Sequence, residues 1–194
     1  MPDLNTLPHD LPRPEDDGAC DHLIGMTLPP IALPSTRGAT VDLAALPPGR
    51  TVIYCYPLTG RPSEALPEGW DEIPGARGCT PQACAFRDHY RELEALGAGV
   101  FGLSTQTEDY QREMAERLHL PFPVLSDCDL HVAHALRLPT FAIDGKTLIK
   151  RLTLIVRDGT IEHVFYPVFP PDENASEVLR WLANISARLR PNGR

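Results

Sequence analysis

No stretch of about 18 consecutive apolar residues occurs in this 194-residue chain, so no membrane-spanning helix is expected. The first residues, Met1-Pro2-Asp3-Leu4-Asn5, lack the basic-then-apolar layout of a secretory signal. Positive charge is in short supply. Lysine and arginine total 18 against 26 aspartates and glutamates, a formal net charge of −8. Such a chain repels phosphate backbones, and nucleic-acid binding is disfavoured. Cysteines number five, an odd count at irregular spacings, which argues against a structural disulfide framework and for a reducing, cytoplasmic compartment. Internal repeats are absent. What the chain has is 42% hydrophobic residues, enough for one domain with a real core, and 21 prolines concentrated in its first third.

Residues 1–20, with Pro8, Pro12, Pro14 and the acidic run Glu15-Asp16-Asp17, read as a disordered or extended tail, and residues 21–194 as the folded domain. Short apolar pieces broken by Pro and Gly suggest an N-terminal edge hairpin before residue 46. Residues 51–56 (Thr-Val-Ile-Tyr-Cys-Tyr) are apolar nearly throughout and are stopped by Pro57, as expected of a central strand buried on both faces. Residues 57–78 form a long loop rich in Pro and Gly, the kind that is functional or mobile in a compact domain. A helix is expected over 81–96, with Thr80 as candidate N-cap, Pro81 in its first turn and Gly97 as its stop. Strands at 99–104 and 122–126, and helices at 107–118 and 130–136, follow. Strands at 150–156 and 160–165 flank Asp158-Gly159, the signal of a type I′ hairpin, and an amphipathic helix closes the chain at 175–189. This order predicts an α/β protein of thioredoxin-like fold: a central mixed sheet flanked by helices, with the N-terminal hairpin at an edge.

The chemistry centres on Gly78-Cys79-Thr80-Pro81-Gln82-Ala83-Cys84. A thiol is a strong nucleophile only as its thiolate, a form favoured by the dipole and free N–H groups of a helix N-terminus, where Cys79 is expected. In an intact helix, residues five apart have Cα atoms roughly 8–9 Å apart, whereas a disulfide needs them within about 7 Å. A bond between Cys79 and Cys84 therefore requires the first helical turns to unwind. Two cysteines at a helix start can also be small buried hydrophobes. A zinc site wants about four ligands, and no second Cys pair or close His pair accompanies these two. A plain thiol–disulfide oxidoreductase would use Cys-x-x-Cys, and the spacing here is Cys-x4-Cys.

The segment Gly78-Cys79-Thr80-Pro81-Gln82-Ala83-Cys84-Ala85-Phe86-Arg87-Asp88 closely resembles the active-site helix of PrxQ-type peroxiredoxins, also called bacterioferritin comigratory proteins, within the alkyl hydroperoxide reductase/thiol-specific antioxidant superfamily. Phe101-Gly102-Leu103-Ser104, Phe122-Pro123-Val124-Leu125-Ser126-Asp127 and Lys150-Arg151-Leu152-Thr153-Leu154-Ile155-Val156 resemble the family's later core strands, in the right order. The resemblance implies a thiol-dependent peroxidase acting on hydrogen peroxide and organic hydroperoxides. Cys79 would be peroxidatic, Cys84 resolving through an intramolecular disulfide, and Arg151 the arginine that stabilises thiolate and peroxide. Thioredoxin or a similar dithiol would be the reductant, no metal or cofactor is required, and the protein would be a monomer or weak homodimer. A non-enzymatic redox switch or sensor using the same pair stands as the alternative.

The chain departs from the family in one place. The family's Pro-x-x-x-Thr/Ser-x-x-Cys loop would put its hydroxyl at Ala76 and its proline at Glu72. The proline that ends the strand is instead Pro57, 22 residues before Cys79, so the loop is longer by about 15 residues. Pro57 is thus the candidate for positioning the loop, and Thr59 the candidate to fold back and supply the hydroxyl. The extra loop, with Trp70, is read as a cover over the site, an oligomer contact or solvated padding. Cys55 is expected in the core, Cys20 in or next to a mobile tail, and Cys128 between two acidic residues. His131 and His134, three apart on a helix, have no evident third ligand and read as surface or packing residues.

Overall fold

The computed structural model describes Leu4 and residues 6–189. Its strands and helices run, in chain order, β1 (Ala32–Pro34), β2 (Thr40–Asp42), β3 (Arg50–Cys55), α1 (Cys79–Asp88), α2 (Tyr90–Ala95), β4 (Ala98–Ser104), α3 (Glu108–Arg117), β5 (Val124–Ser126), α4 (His131–Ala135), β6 (Thr140–Ile143), β7 (Lys146–Ile149), β8 (Leu152–Arg157), β9 (Thr160–Phe165) and α5 (Asn174–Leu189). The main sheet has the order β5-β4-β3-β8-β9. β3, β4 and β5 are parallel, while β8 and β9 run antiparallel to their neighbours, so the sheet is mixed.

The central position of β3 explains its composition. Val52, Tyr54 and Tyr56 point to one face of the sheet, where they pack with Cys79, Ala83 and Phe86 of α1, Met114 of α3 and Val178 and Leu182 of α5. Ile53 and Cys55 point to the other face, beneath Leu33, Leu43 and Val132. With both faces covered, strict polar alternation has no place, and the strand reads as one apolar run. The Tyr54 ring stacks on Phe86 at 4.5 Å and so ties α1 to the middle of the sheet. β4 admits that tyrosine by carrying Gly102, where a Cβ would lie 2.9 Å from the Tyr54 hydroxyl.

Three local expectations are corrected. The helix expected over 81–96 starts at Cys79 and is interrupted at His89, giving α1 and α2. Its N-cap is Gly78, at φ +100°, and not Thr80, which lies buried inside the first turn. Pro81 is accommodated there because first-turn N–H groups have no intrahelical acceptor. The strand expected from residue 150 starts at Leu152, leaving Lys150 and Arg151 in the junction after β7. The hairpin of β6 and β7 was not foreseen, although Asp144-Gly145 between them, at φ +49° and +70°, repeats the chemistry of Asp158-Gly159 at +49° and +80°.

The long loop 57–78 is not solvated padding. Trp70 is buried, with its ring centroid 6.1 Å from that of Phe141, and joins Leu58, Ala76 and Leu148 in a satellite core against the β6–β7 hairpin. The segment 6–20 has little regular structure but is held against the domain. Asp17 accepts hydrogen bonds from Lys150 Nζ and the Tyr166 hydroxyl, each at 2.8 Å. Cys20, expected in or next to a mobile tail, is buried in the core, and its thiol is pushed up to about 12 by that burial and by Asp17, Asp16 and Asp21.

Candidate active site

Cys79 opens α1 with its side chain almost wholly buried, and Cys84 lies half-buried one and a half turns on; both are free thiols. α1 is continuous between them, so forming a bond between the two sulfurs requires these turns to open. Burial raises the Cys84 thiol above its ordinary value, with Arg87 opposing the shift, which keeps Cys84 protonated while the helix is intact.

Arg151 reaches the site from the junction between β7 and β8 and is itself buried. Its Nη2 donates to Cys79 Sγ at 3.2 Å, so a permanent positive charge faces the sulfur. The guanidinium makes further hydrogen bonds. Nη2 also donates to the carbonyls of Ala76 at 3.0 Å and Arg77 at 3.1 Å, Nε donates to that of Gly75 at 3.2 Å, and Nη1 donates to Gln82 Oε1. The end of the long loop therefore wraps the arginine with main-chain oxygens. At Ala76, where the family pattern wants a hydroxyl, the chain offers only an accepting carbonyl, which holds Arg151. It also accepts from the Cys79 thiol at 3.6 Å.

Behind Arg151 lies a buried relay that the sequence did not reveal. Gln82 Nε2 donates to Asn174 Oδ1 at 2.9 Å, and Thr153 Oγ1 donates to the same oxygen at 2.7 Å. α1, β8 and the start of α5 thus meet at one polar knot close to Cys79. Gln82 sits within the cysteine motif, one turn after Cys79, which was the available signal. Asn174 and Thr153 carry none, because only tertiary contact brings them there.

Thr59 does come back to the site. It lines the same crevice as Gly78, Cys79 and Thr80. Its hydroxyl, however, donates to Gln106 Oε1 at 3.0 Å, and Gln106 also binds the Thr59 N–H at 2.9 Å and carbonyl at 3.1 Å. Thr59 is clamped by Gln106, and its proton is not directed at the sulfur. Pro57 is buried where the chain leaves β3, its carbonyl accepting from Ser104 Oγ at 3.4 Å. Cys55 lies in the core, and burial raises its thiol further than that of Cys20. Cys128 is exposed.

A sulfur at a helix N-terminus facing a buried arginine, with a second thiol five residues on, is an arrangement with known counterparts. The Redoxin family model matches residues 23–179. The chain is 33% identical over 162 residues to peroxiredoxin Bcp of Escherichia coli (strain K12), covering 81% of this chain and 94% of that protein. It belongs to the peroxiredoxin Q/Bcp family. This peroxiredoxin is a thiol-dependent peroxidase, with peroxides as its substrates and thiols as its reductants. Chloroplastic peroxiredoxin Q of Sedum lineare is 32% identical over 83% of the chain and 78% of its own length. Among solved structures, the peroxidoxin BcpB of Mycobacterium tuberculosis superposes with a TM-score of 0.68 at 28% identity, over 84% of this peroxiredoxin and 97% of that chain. Among the described residues, no helix is long and apolar enough to cross a membrane.

Proposed function

We propose that this peroxiredoxin reduces hydrogen peroxide and organic hydroperoxides through Cys79. The thiolate attacks one peroxide oxygen, the O–O bond breaks, and the leaving oxygen departs as water or alcohol after taking a proton, leaving Cys79 as a sulfenic acid. Arg151 stabilises the thiolate and the charge growing on the leaving oxygen. The first turns of α1 then open, and Cys84 attacks the Cys79 sulfenic acid, forming the disulfide and releasing water. Thioredoxin or a similar dithiol supplies two electrons and two protons to restore both thiols. Pro57 and Thr59, the latter through Gln106, position the loop at the entrance. A cytoplasmic site of action, a monomer or weak homodimer, and no nucleic-acid partner complete the reading.

The observation that carries it is the 3.2 Å contact from Arg151 Nη2 to Cys79 Sγ at the start of the helix that also bears Cys84. Stopped-flow mixing of the reduced protein with hydrogen peroxide tests it. Cys79→Ser is expected to abolish the fast reaction. A variant reacting as fast as the parent would show the reading wrong. A redox switch without catalysis would oxidise once and stop, so repeated turnover with thioredoxin separates the two readings.

A further inference from the structure

The N-terminal segment lies before the residues matched by the family model, yet it runs across the site. Its contacts fall in a pattern. Three side chains of the segment land on three glycines of the loop that ends at the nucleophile. A Cβ built at Gly60 would meet Leu4 Cδ2 at 2.9 Å, one at Gly78 would meet Leu7 Cδ2 at 2.7 Å, and one at Gly75 would meet Pro14 Cγ at 3.4 Å. Arg13 stacks over the Phe169 ring at 5.3 Å. The far end is clasped by Asp17 to Lys150, the residue before Arg151, and to Tyr166. The segment is one-sided, with Leu4, Leu7, Leu11 and Pro14 half-buried and Thr6, His9, Asp10 and Glu15 exposed, as expected of a chain lying on a surface.

Leu4 also walls the crevice that reaches Cys79, together with Thr59, Leu66 and Trp70. That crevice has a volume of about 10 Å³, room for roughly one water-sized molecule. Hydrogen peroxide is two oxygens long and needs little more. A hydroperoxide carrying a phenyl or long alkyl group would meet Leu4 in the wall of this crevice, with Leu7 packed at Gly78 beside it.

We propose that Leu4 and residues 6–17 form a strap over the peroxide entrance that selects small hydroperoxides, so that unseating it opens Cys79 to bulky ones. The inference rests on Cys79 being the reacting sulfur. Two variants unseat the strap: a chain lacking residues 2–15, and the full-length double substitution Leu4→Ser and Leu7→Ser. Single-turnover rate constants are measured for each reduced protein with hydrogen peroxide and with cumene hydroperoxide. The ratio of cumene hydroperoxide rate to hydrogen peroxide rate is expected to rise about tenfold, the scale of discrimination a steric pocket supplies. An unchanged ratio overturns the strap. If the shortened chain does not fold by circular dichroism, the double serine variant decides on the same ratio. Cys79→Ser is run in parallel. Should it react like the parent, the assignment of the sulfur fails, whereas an unchanged ratio with an inert Cys79→Ser condemns the strap alone.

Discussion

Arg151 makes five contacts with one planar group: three main-chain carbonyls, the Gln82 side chain and the Cys79 sulfur. That geometry suits a guanidinium, whose donors are fixed in a fork, and not an ammonium, which is a single point of charge on a flexible stem. Arg151→Lys keeps the charge but cannot hold the Gly75–Arg77 carbonyls and the sulfur together. The second-order rate with hydrogen peroxide is expected to fall about a hundredfold, the usual cost of losing one preorganised donor at a site of developing charge. Stopped-flow kinetics on the folded variant would check this, and a rate within a few-fold of the parent would mean that charge alone suffices. The same scale explains why Thr59 was only half legible. Its neighbourhood with Cys79 followed from the loop returning to the helix start, but its hydroxyl is claimed by Gln106, 47 residues away, and nothing local to Thr59 announces that.

At the scale of elements, α1 has two demands on it. In the proposed mechanism it must be intact to hold Cys79 against Arg151, and it must open to let Cys84 reach the sulfenic acid. The knot of Gln82, Asn174 and Thr153 ties the stretch between Cys79 and Cys84 to β8 and α5, and the proposed opening has to work against it. Asn174→Ala leaves the buried Gln82 amide and Thr153 hydroxyl without their acceptor. It is expected to destabilise the reduced protein by about 1–3 kcal/mol. It is also expected to speed the step from sulfenic acid to disulfide, because the closed helix loses more than the open one. Thermal melts and the second phase of the peroxide reaction read the two effects. A resolving step slowed together with the melt would show that Asn174 does not restrain opening. The β6–β7 hairpin is the element the sequence reading passed over. Asp144-Gly145 carries the dipeptide that correctly marked Asp158-Gly159. The flanking strands are only four residues each and half-exposed, so the period-two pattern is too short to stand out.

At the scale of the whole molecule, two cores sandwich one sheet and a third, smaller core supports the site loop. α5 closes the structure over β9, where His163 lies flat on Trp181 at 4.8 Å and edge-on to Phe165 at 4.7 Å. Burial lowers the His163 imidazole below its ordinary value, with Glu162 opposing. The unfolded chain therefore binds a proton more readily than the folded one. Stability that is fully present above the ordinary histidine range is lost as pH falls through it towards the lower folded value. The melting temperature should drop between pH 7.5 and 5.5, and His163→Gln should drop less over the same interval. Equal losses in parent and variant would place the acid sensitivity elsewhere.

Arg151 was indicated only by resemblance to the family, whereas the cysteine pair at a helix start, the mixed sheet with its central apolar strand and the I′ turn were legible in the sequence alone. Each of these is written in contiguous residues, whose periodicity, turn chemistry or spacing is a local property. Only the tertiary structure decided what surrounds the sulfur. The Ala76 carbonyl stands where a hydroxyl was sought, Gln106 holds Thr59, and Asn174 and Thr153 back Gln82. The leading segment, expected to be a disordered or extended tail, packs on the site loop, where Gly60 and Gly78 leave room for Leu4 and Leu7. Contacts between residues dozens of positions apart have no period and no motif, and so only the folded chain displays them.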